Sequence, residues 1–123
     1  MYLEMCNNLE YVKDYFIAAF EPQKSNVEID SEEVPIFLML EGFAQIACRA
    51  SSSNLFDQQP CFPAAIKKFE YLTTDIIKMD DSNLKLSASV KRCGEYGVST
   101  CYLLDKNNAE LALAEVWVTV RKK

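Results

Sequence analysis

The sequence contains no histidine. That absence removes the commonest general base, the Ser-His and Cys-His nucleophile pairs and the imidazole metal ligand together. Any chemistry has to run on carboxylates, thiols, tyrosines, lysines or backbone amides. Positive charge is also short. Thirteen Lys and Arg stand against eighteen Asp and Glu, a net charge of −5, which argues against attraction to a phosphate backbone, so no nucleic-acid partner is expected. No apolar run approaches the ~20 residues that cross a bilayer; the most apolar, Val34 to Leu40, stops at Glu41. No basic segment followed by an apolar one opens the chain, and the expectation is a soluble, cytoplasmic protein without membrane contact.

The five cysteines, Cys6, Cys48, Cys61, Cys93 and Cys101, are scattered and form no C-x-x-C pair. Without histidine they complete no familiar zinc set, and neither metal nor cofactor is expected. Reduced, partly buried thiols are the expectation, because a chain that is 50% hydrophobic can build a core without bridges. Its 123 residues fit a single domain spanning 1–123.

Along the chain, Leu9 to Phe20 carries aromatic and β-branched residues suited to a strand and ends at Glu21-Pro22. Val34 to Ser52 is too long for an ordinary strand and holds one glycine, Gly42; Pro35 near its front suits a helical first turn. Its apolar residues, from Ile36 to Ala47, occupy every side of the helical wheel, which predicts a buried helix with no wide polar face. Ser51 to Asn54 and Asp57 to Pro60 mark a connection. Strands are then expected over Ala64 to Ile77, with room for a break within it, over Leu84 to Val90, where apolar and polar residues alternate, over Val98 to Leu104 and over Glu110 to Val120. Met79 to Asn83, Cys93 to Gly97 and Asp105 to Asn108 read as turns. One long helix among antiparallel strands is an α+β pattern, and a helix apolar all round needs an antiparallel sheet wrapped around it.

The run Pro35-Ile36-Phe37-Leu38-Met39-Leu40-Glu41-Gly42-Phe43-Ala44-Gln45 resembles the helix-opening motif of the hot dog fold. It is closest to the 3-hydroxyacyl-acyl-carrier-protein dehydratase branch, where Pro-Gly opens the helix and Glu-Ala-x-Ala-Gln follows at this spacing. A weaker likeness runs from Phe62 to Phe69 and on through the C-terminal strands, so that residues 9 to 121 are covered. The resemblance implies a homodimer with sheets joined edge to edge and acyl-thioester tunnels at the interface near the helix N-terminus. It also implies a carboxylate at Glu41 working with a histidine of the other subunit. Here, with the spacing kept, that histidine position holds Val27, and Ile36 replaces the motif's glycine.

Dehydration needs a base beside the thioester carbonyl and an acid for the departing hydroxyl; Glu41 supplies one of these and valine supplies neither. The expected function is therefore an acyl-thioester-binding protein of fatty-acid or polyketide-type lipid assembly, with dehydratase activity weakened or lost. The partner is acyl carrier protein or a coenzyme A thioester. One alternative is a thioesterase in which Glu41 acts as base or nucleophile; another is a non-catalytic dimeric partner of an active dehydratase.

Around Glu41, Gln45 lies one turn further on the same side and is expected to orient the carboxylate or substrate, or to satisfy strand-end backbone. Cys48 falls near the same stripe and is expected in the core, with Arg49 pointing elsewhere. Pro35, Ile36, Phe37 and Phe62 are candidate substrate contacts, and Phe43, Phe69 and Trp117 either line a tunnel or are core. Glu28 and Asp30 are possible stand-ins for the lost histidine. Of the basic clusters Lys67-Lys68, Lys91-Arg92 and Arg121-Lys122-Lys123, the pair Lys67 and Lys68 is the preferred contact for an acidic carrier.

Overall fold

A computed structural model of the chain describes residues 5–25 and 32–120. Val27, Glu28, Asp30 and the basic tail from Arg121 lie outside the described residues. The strands are β1 (Cys6–Val12), β2 (Tyr15–Phe20), β3 (Cys61–Tyr71), β4 (Lys85–Cys93), β5 (Tyr96–Leu104) and β6 (Glu110–Val120). The helix α1 (Ile36–Leu55) lies between β2 and β3, preceded by a 3₁₀ turn at Pro22–Lys24. All strand pairs are antiparallel, and they form one six-stranded sheet in the order β1-β2-β4-β5-β6-β3.

Several sequence expectations shift, among them the turn expected at Cys93 to Gly97, which narrows to Gly94-Glu95 because β4 runs on to Cys93 and β5 begins at Tyr96. The run Leu9 to Phe20 is two strands, a hairpin that turns at Lys13-Asp14 with Lys13 at φ 56°. No Gly or Pro marks that turn, which is why the run reads as continuous. The strand expected from Ala64 to Ile77 begins at Cys61 and ends at Tyr71. It admits Pro63 because β3 is an edge strand, where a missing N–H breaks no ladder on the open side. The helix runs from Ile36 to Leu55 with Pro35 as its N-cap, at φ −64° and ψ 149°, and the Pro35 carbonyl accepts from the amides of Leu38 and Met39.

The core follows from two periodicities. On α1 the buried stripe is Leu38, Met39, Gly42, Phe43, Ile46, Ala47, Ala50 and Ser51, the helical repeat of one broad face. On the strands, Phe16, Ala18 and Phe20 of β2, Leu86 and Ala88 of β4, Cys101 and Leu103 of β5, and Ala112, Ala114, Val116 and Val118 of β6 are buried at alternating positions. The alanines among them leave the hollow in which the helix sits, and α1 touches every strand of the sheet. Each large apolar side chain sealed there is worth about 1.5–3 kcal/mol.

Helix and sheet meet most closely where a side chain is missing. A Cβ on Gly42 would lie 2.6 Å from Cε1 of Phe20, and one on Gly97 would lie 2.7 Å from Oγ of Ser51. The lead-in to the helix is pinned separately. The Val34 amide donates to the Ile77 carbonyl (2.8 Å), and the Met79 amide donates to the Glu32 carbonyl (2.8 Å). At the other end the Arg92 guanidinium donates to the Leu55 carbonyl (3.3 Å) and lies 5.0 Å from the Phe56 ring centroid, a cation at the negative end of the helix dipole.

The helix is not covered all round, as its apolar content predicted. Ile36 and Phe37 are exposed, and Glu41, Gln45, Cys48 and Arg49 are half-buried along one stripe. The wheel argument fails because, among the described residues, no strand lies over the side between the two sheet edges, β1 and β3.

Gly42→Ala should lower stability by about 1–3 kcal/mol through overpacking against Phe20, read from urea unfolding. Ser51 Oγ is buried without a hydrogen-bond partner among the described residues, so Ser51→Ala should leave the melting temperature unchanged or raise it.

Candidate functional site

The uncovered stripe of α1 is built at four-residue spacing, which places Glu41, Gln45 and Arg49 one above another, with Ala44, Cys48 and Ser52 beside them. Gln45 is fixed by its carbonyl end. Oε1 accepts from the backbone amides of Met5 (2.9 Å) and Cys6 (3.1 Å), the first residues of the β1 edge. Two N–H donors require oxygen at that position, so Nε2 is the amide's donor end, and it has no hydrogen bond among the described residues. Arg49 fastens the same edge by donating to the Cys6 carbonyl. Thus Arg49 does not point elsewhere but shares the stripe of Gln45 and Cys48; its position four residues after Gln45 was the signal for this.

Two adjoining cavities occupy the slit between the sheet edges. The smaller, about 230 Å³, is lined by Glu41, Ala44, Gln45, Cys48, Arg49 and Pro63. The larger, about 460 Å³, is lined by Leu9 of β1, by Cys48, Arg49, Ser52 and Ser53 of α1, and by Gln58, Pro60 and Cys61 at the start of β3. They share Cys48 and Arg49 and form one groove along the helix. Glu41 is half-buried, lines the smaller cavity and makes no hydrogen bond or ion pair among the described residues.

Cys48 is not a nucleophile in waiting. Burial pushes its thiol up to about 12, helped by the neighbouring Cys61, Glu41 and Cys101, so it stays protonated and contributes a neutral wall. Cys101, buried in the core, is likewise pushed up to about 12 by burial, against the lowering effect of its contact with the Ser99 hydroxyl.

The other sequence candidates are dispersed. Pro35, Ile36, Phe37 and Phe62 line neither of these cavities, and Phe37 and Phe62 are 42% and 43% exposed. Phe43 is fully buried, with the Phe69 ring 6.2 Å from it. Trp117 is on the sheet face away from the helix, where its indole donates to Glu115 (3.0 Å) and the Tyr96 ring lies 5.6 Å away. Lys67 Nζ lies 5.5 Å from the Trp117 ring centroid, and Lys68 is 4.0 Å from the Glu70 carboxylate. Sequence reasoning missed Leu9 of β1, which carried no local signal, and Ser53, Gln58 and Pro60, whose only signal was the polar connection after the helix. Among the described residues no group of three or more His, Cys, Asp or Glu is placed to hold a metal ion, and no helix is long and apolar enough to cross a membrane.

No family model and no curated protein matches the sequence. Solved structures do match the fold. AziG of S. sahachiroi superposes with a TM-score of 0.72 at 14% identity, covering 94% of this chain and 91% of its own. The thioesterase HI1161 of Haemophilus influenzae gives 0.71 at 12% identity, with 92% and 76% covered. The protein smu.793 of Streptococcus mutans, solved bound to acetyl CoA, gives 0.67 at 13% identity, with 96% and 90% covered. The chain has the hot dog fold, a six-stranded antiparallel sheet with one long helix packed against it.

The raised thiols fix the alkaline limb of stability. The unfolded chain releases these protons from about pH 9, while the folded chain holds them to about pH 12. The unfolded state therefore binds fewer protons in that window, and stability should fall as pH rises through it. Iodoacetamide at pH 8 followed by peptide mass spectrometry should label the exposed Cys93 well before Cys48 or Cys101.

Proposed function

We propose that this protein hydrolyses acyl thioesters of coenzyme A, with Glu41 as the general base. The observation that carries the reading is a carboxylate without a partner among the described residues, lining a 230 Å³ cavity one helical turn from an amide whose donor end is likewise unclaimed among them. In this scheme Glu41 takes a proton from water. The water oxygen bonds to the thioester carbonyl carbon, the carbon–sulfur bond breaks, and the leaving thiol takes up the proton that Glu41 received. Gln45 Nε2 donates to the carbonyl oxygen as its negative charge develops.

Hydrolysis fits this composition better than dehydration. It needs one carboxylate and water, whereas removing a hydroxyl needs an acid and a base, and the chain has no histidine to supply the second group. The comparisons support the same choice, since HI1161 is described as a thioesterase and smu.793 was solved with acetyl CoA. The thioesterase alternative thus displaces the weakened dehydratase as the leading reading.

The working unit in this proposal is a homodimer joined at β3. That strand is an open edge carrying Phe62, Pro63, Ala64, Ala65 and Ile66 at or near the surface. An exposed apolar edge is a liability unless it is paired, and a second copy laid along it would roof the groove beside Pro63. Lys67 and Lys68 on the same strand are the proposed contact for a carrier protein, should one deliver the acyl group.

Glu41→Gln should lower kcat for acyl-CoA hydrolysis by about 10²–10⁴-fold, the usual worth of a general base, with circular dichroism and melting unchanged. Unchanged turnover would remove Glu41 from the mechanism, and interconversion of 3-hydroxyacyl and enoyl thioesters by the parent protein would restore the dehydratase reading. Ile66→Lys should convert the dimer to monomer in sedimentation equilibrium; a parent protein that already sediments as a monomer would end the β3 proposal.

A further inference from the structure

The nitrogen of Gln45 keeps one direction only while β1 holds its oxygen, and the helix in turn holds β1. In a strand the N–H and C=O of one residue point to the same side. Cys6 is paired with Phe20 in the sheet, but Phe20 sends its amide the other way, to the Leu84 carbonyl (2.9 Å). The backbone groups of Cys6 turn instead to α1. Its N–H donates to Gln45 Oε1 (3.1 Å), and its carbonyl accepts from the Arg49 guanidinium. Two side chains one helical turn apart thereby give Cys6 the acceptor and the donor that a neighbouring strand would give it.

The rest of β1 lends this end little support. The register with β2 breaks between Asn7 and Glu10, where Asn8 sits at φ 58°, and such a bulge interrupts the ladder. On the near side of the break Cys6 and Asn7 pair with Phe20 and Ala19, and the Glu21 amide donates to the Met5 carbonyl (2.7 Å). The position of the Met5 and Cys6 amides therefore depends strongly on what the helix contributes.

We infer that Arg49 is a positioning residue for the hydrolysis proposed above. By gripping the Cys6 carbonyl it fixes the two amides that hold Gln45 Oε1, and through them the aim of Nε2 at the thioester carbonyl. The inference rests on that reading. A guanidinium suits the task, because it stays charged and presents its donors in a rigid fork, and a charged donor binds a carbonyl roughly twice as strongly as a neutral one. Arg49 lines both cavities, so the grip is made inside the groove whose chemistry it serves.

The test is a double-mutant cycle on acetyl-CoA hydrolysis, joined to amide hydrogen exchange. Gln45→Met should lower kcat by about 10²–10³-fold, the usual loss of a donor to the developing oxyanion. Arg49→Met should lower kcat by about 10–10²-fold with KM little changed, the range for a reacting group misplaced by up to 1 Å. The double variant should be no slower than Gln45→Met, because Arg49 acts through that amide. Arg49→Lys, which keeps a donor, should recover most of the loss. Exchange at the Met5 and Cys6 amides should quicken at least about tenfold in Arg49→Met while β4 and β5 amides hold their rates, which separates a loosened edge from a loosened fold. Arg49→Gln is expected to behave alike and carries the same test should Arg49→Met not fold. Unchanged kcat and unchanged exchange at Met5 and Cys6, or a double variant slowed by the product of the two single losses, would overturn the inference. A parent protein without turnover would end the hydrolysis reading alone, since the exchange arm still shows whether Arg49 holds the residues that hold Gln45.

Discussion

A sheet of six strands bends round a helix of twenty residues and stops short of closing. Everything at the candidate site depends on that shortfall. The buried face of α1 is covered by the concave side of β2, β4, β5 and β6, where alanines make room, the Phe20 ring packs onto Gly42, and the Ser51 and Leu55 side chains pack onto Gly97. The face left over lies between two strand edges. Gln45 and Arg49 hold one of those edges, and they do so from the helix itself, so the slit's width is set by side chains that also line it.

In the proposed reaction one amide has two jobs. The oxygen of Gln45 anchors Met5 and Cys6, and that engagement fixes the orientation of the nitrogen. Preorganised donors stabilise developing charge because they need not reorient during reaction, and here the anchoring contact supplies the preorganisation. Burial, for its part, keeps the neighbouring thiol of Cys48 from serving as a nucleophile. Burial that favours a neutral Cys48 leaves Glu41 as the one carboxylate in a wall of neutral groups and a guanidinium committed to backbone.

Much of this was legible in the sequence, for reasons tied to particular residues. The length and apolar density of Val34 to Ser52 gave the helix, and the alternation from Leu84 to Val90 gave β4. The strand of Glu110 to Val120 matched residue for residue. The hairpin at Lys13-Asp14 was hidden because both flanking runs favour extended backbone and the turn uses neither Gly nor Pro. Glu41 and Gln45 stood out as polar residues in an apolar helix. Arg49 did not, although helical spacing already put it on their stripe. Leu9, Ser53 and Gln58 were invisible because their meeting depends on how far the sheet curls, and no local pattern encodes curvature. Val27, where the resemblance would set a histidine, lies outside the described residues.

The indole of Trp117, the sole tryptophan of the chain, faces away from the helix among Glu115, Tyr96 and Lys67. Its emission therefore monitors the back of the sheet. Spectroscopists following this molecule would be watching the wall opposite the slit, and a small molecule settling beside Glu41 would leave that signal nearly still. An optical probe of the groove itself has to be planted there, on the helix stripe or the rim of the loop that follows it.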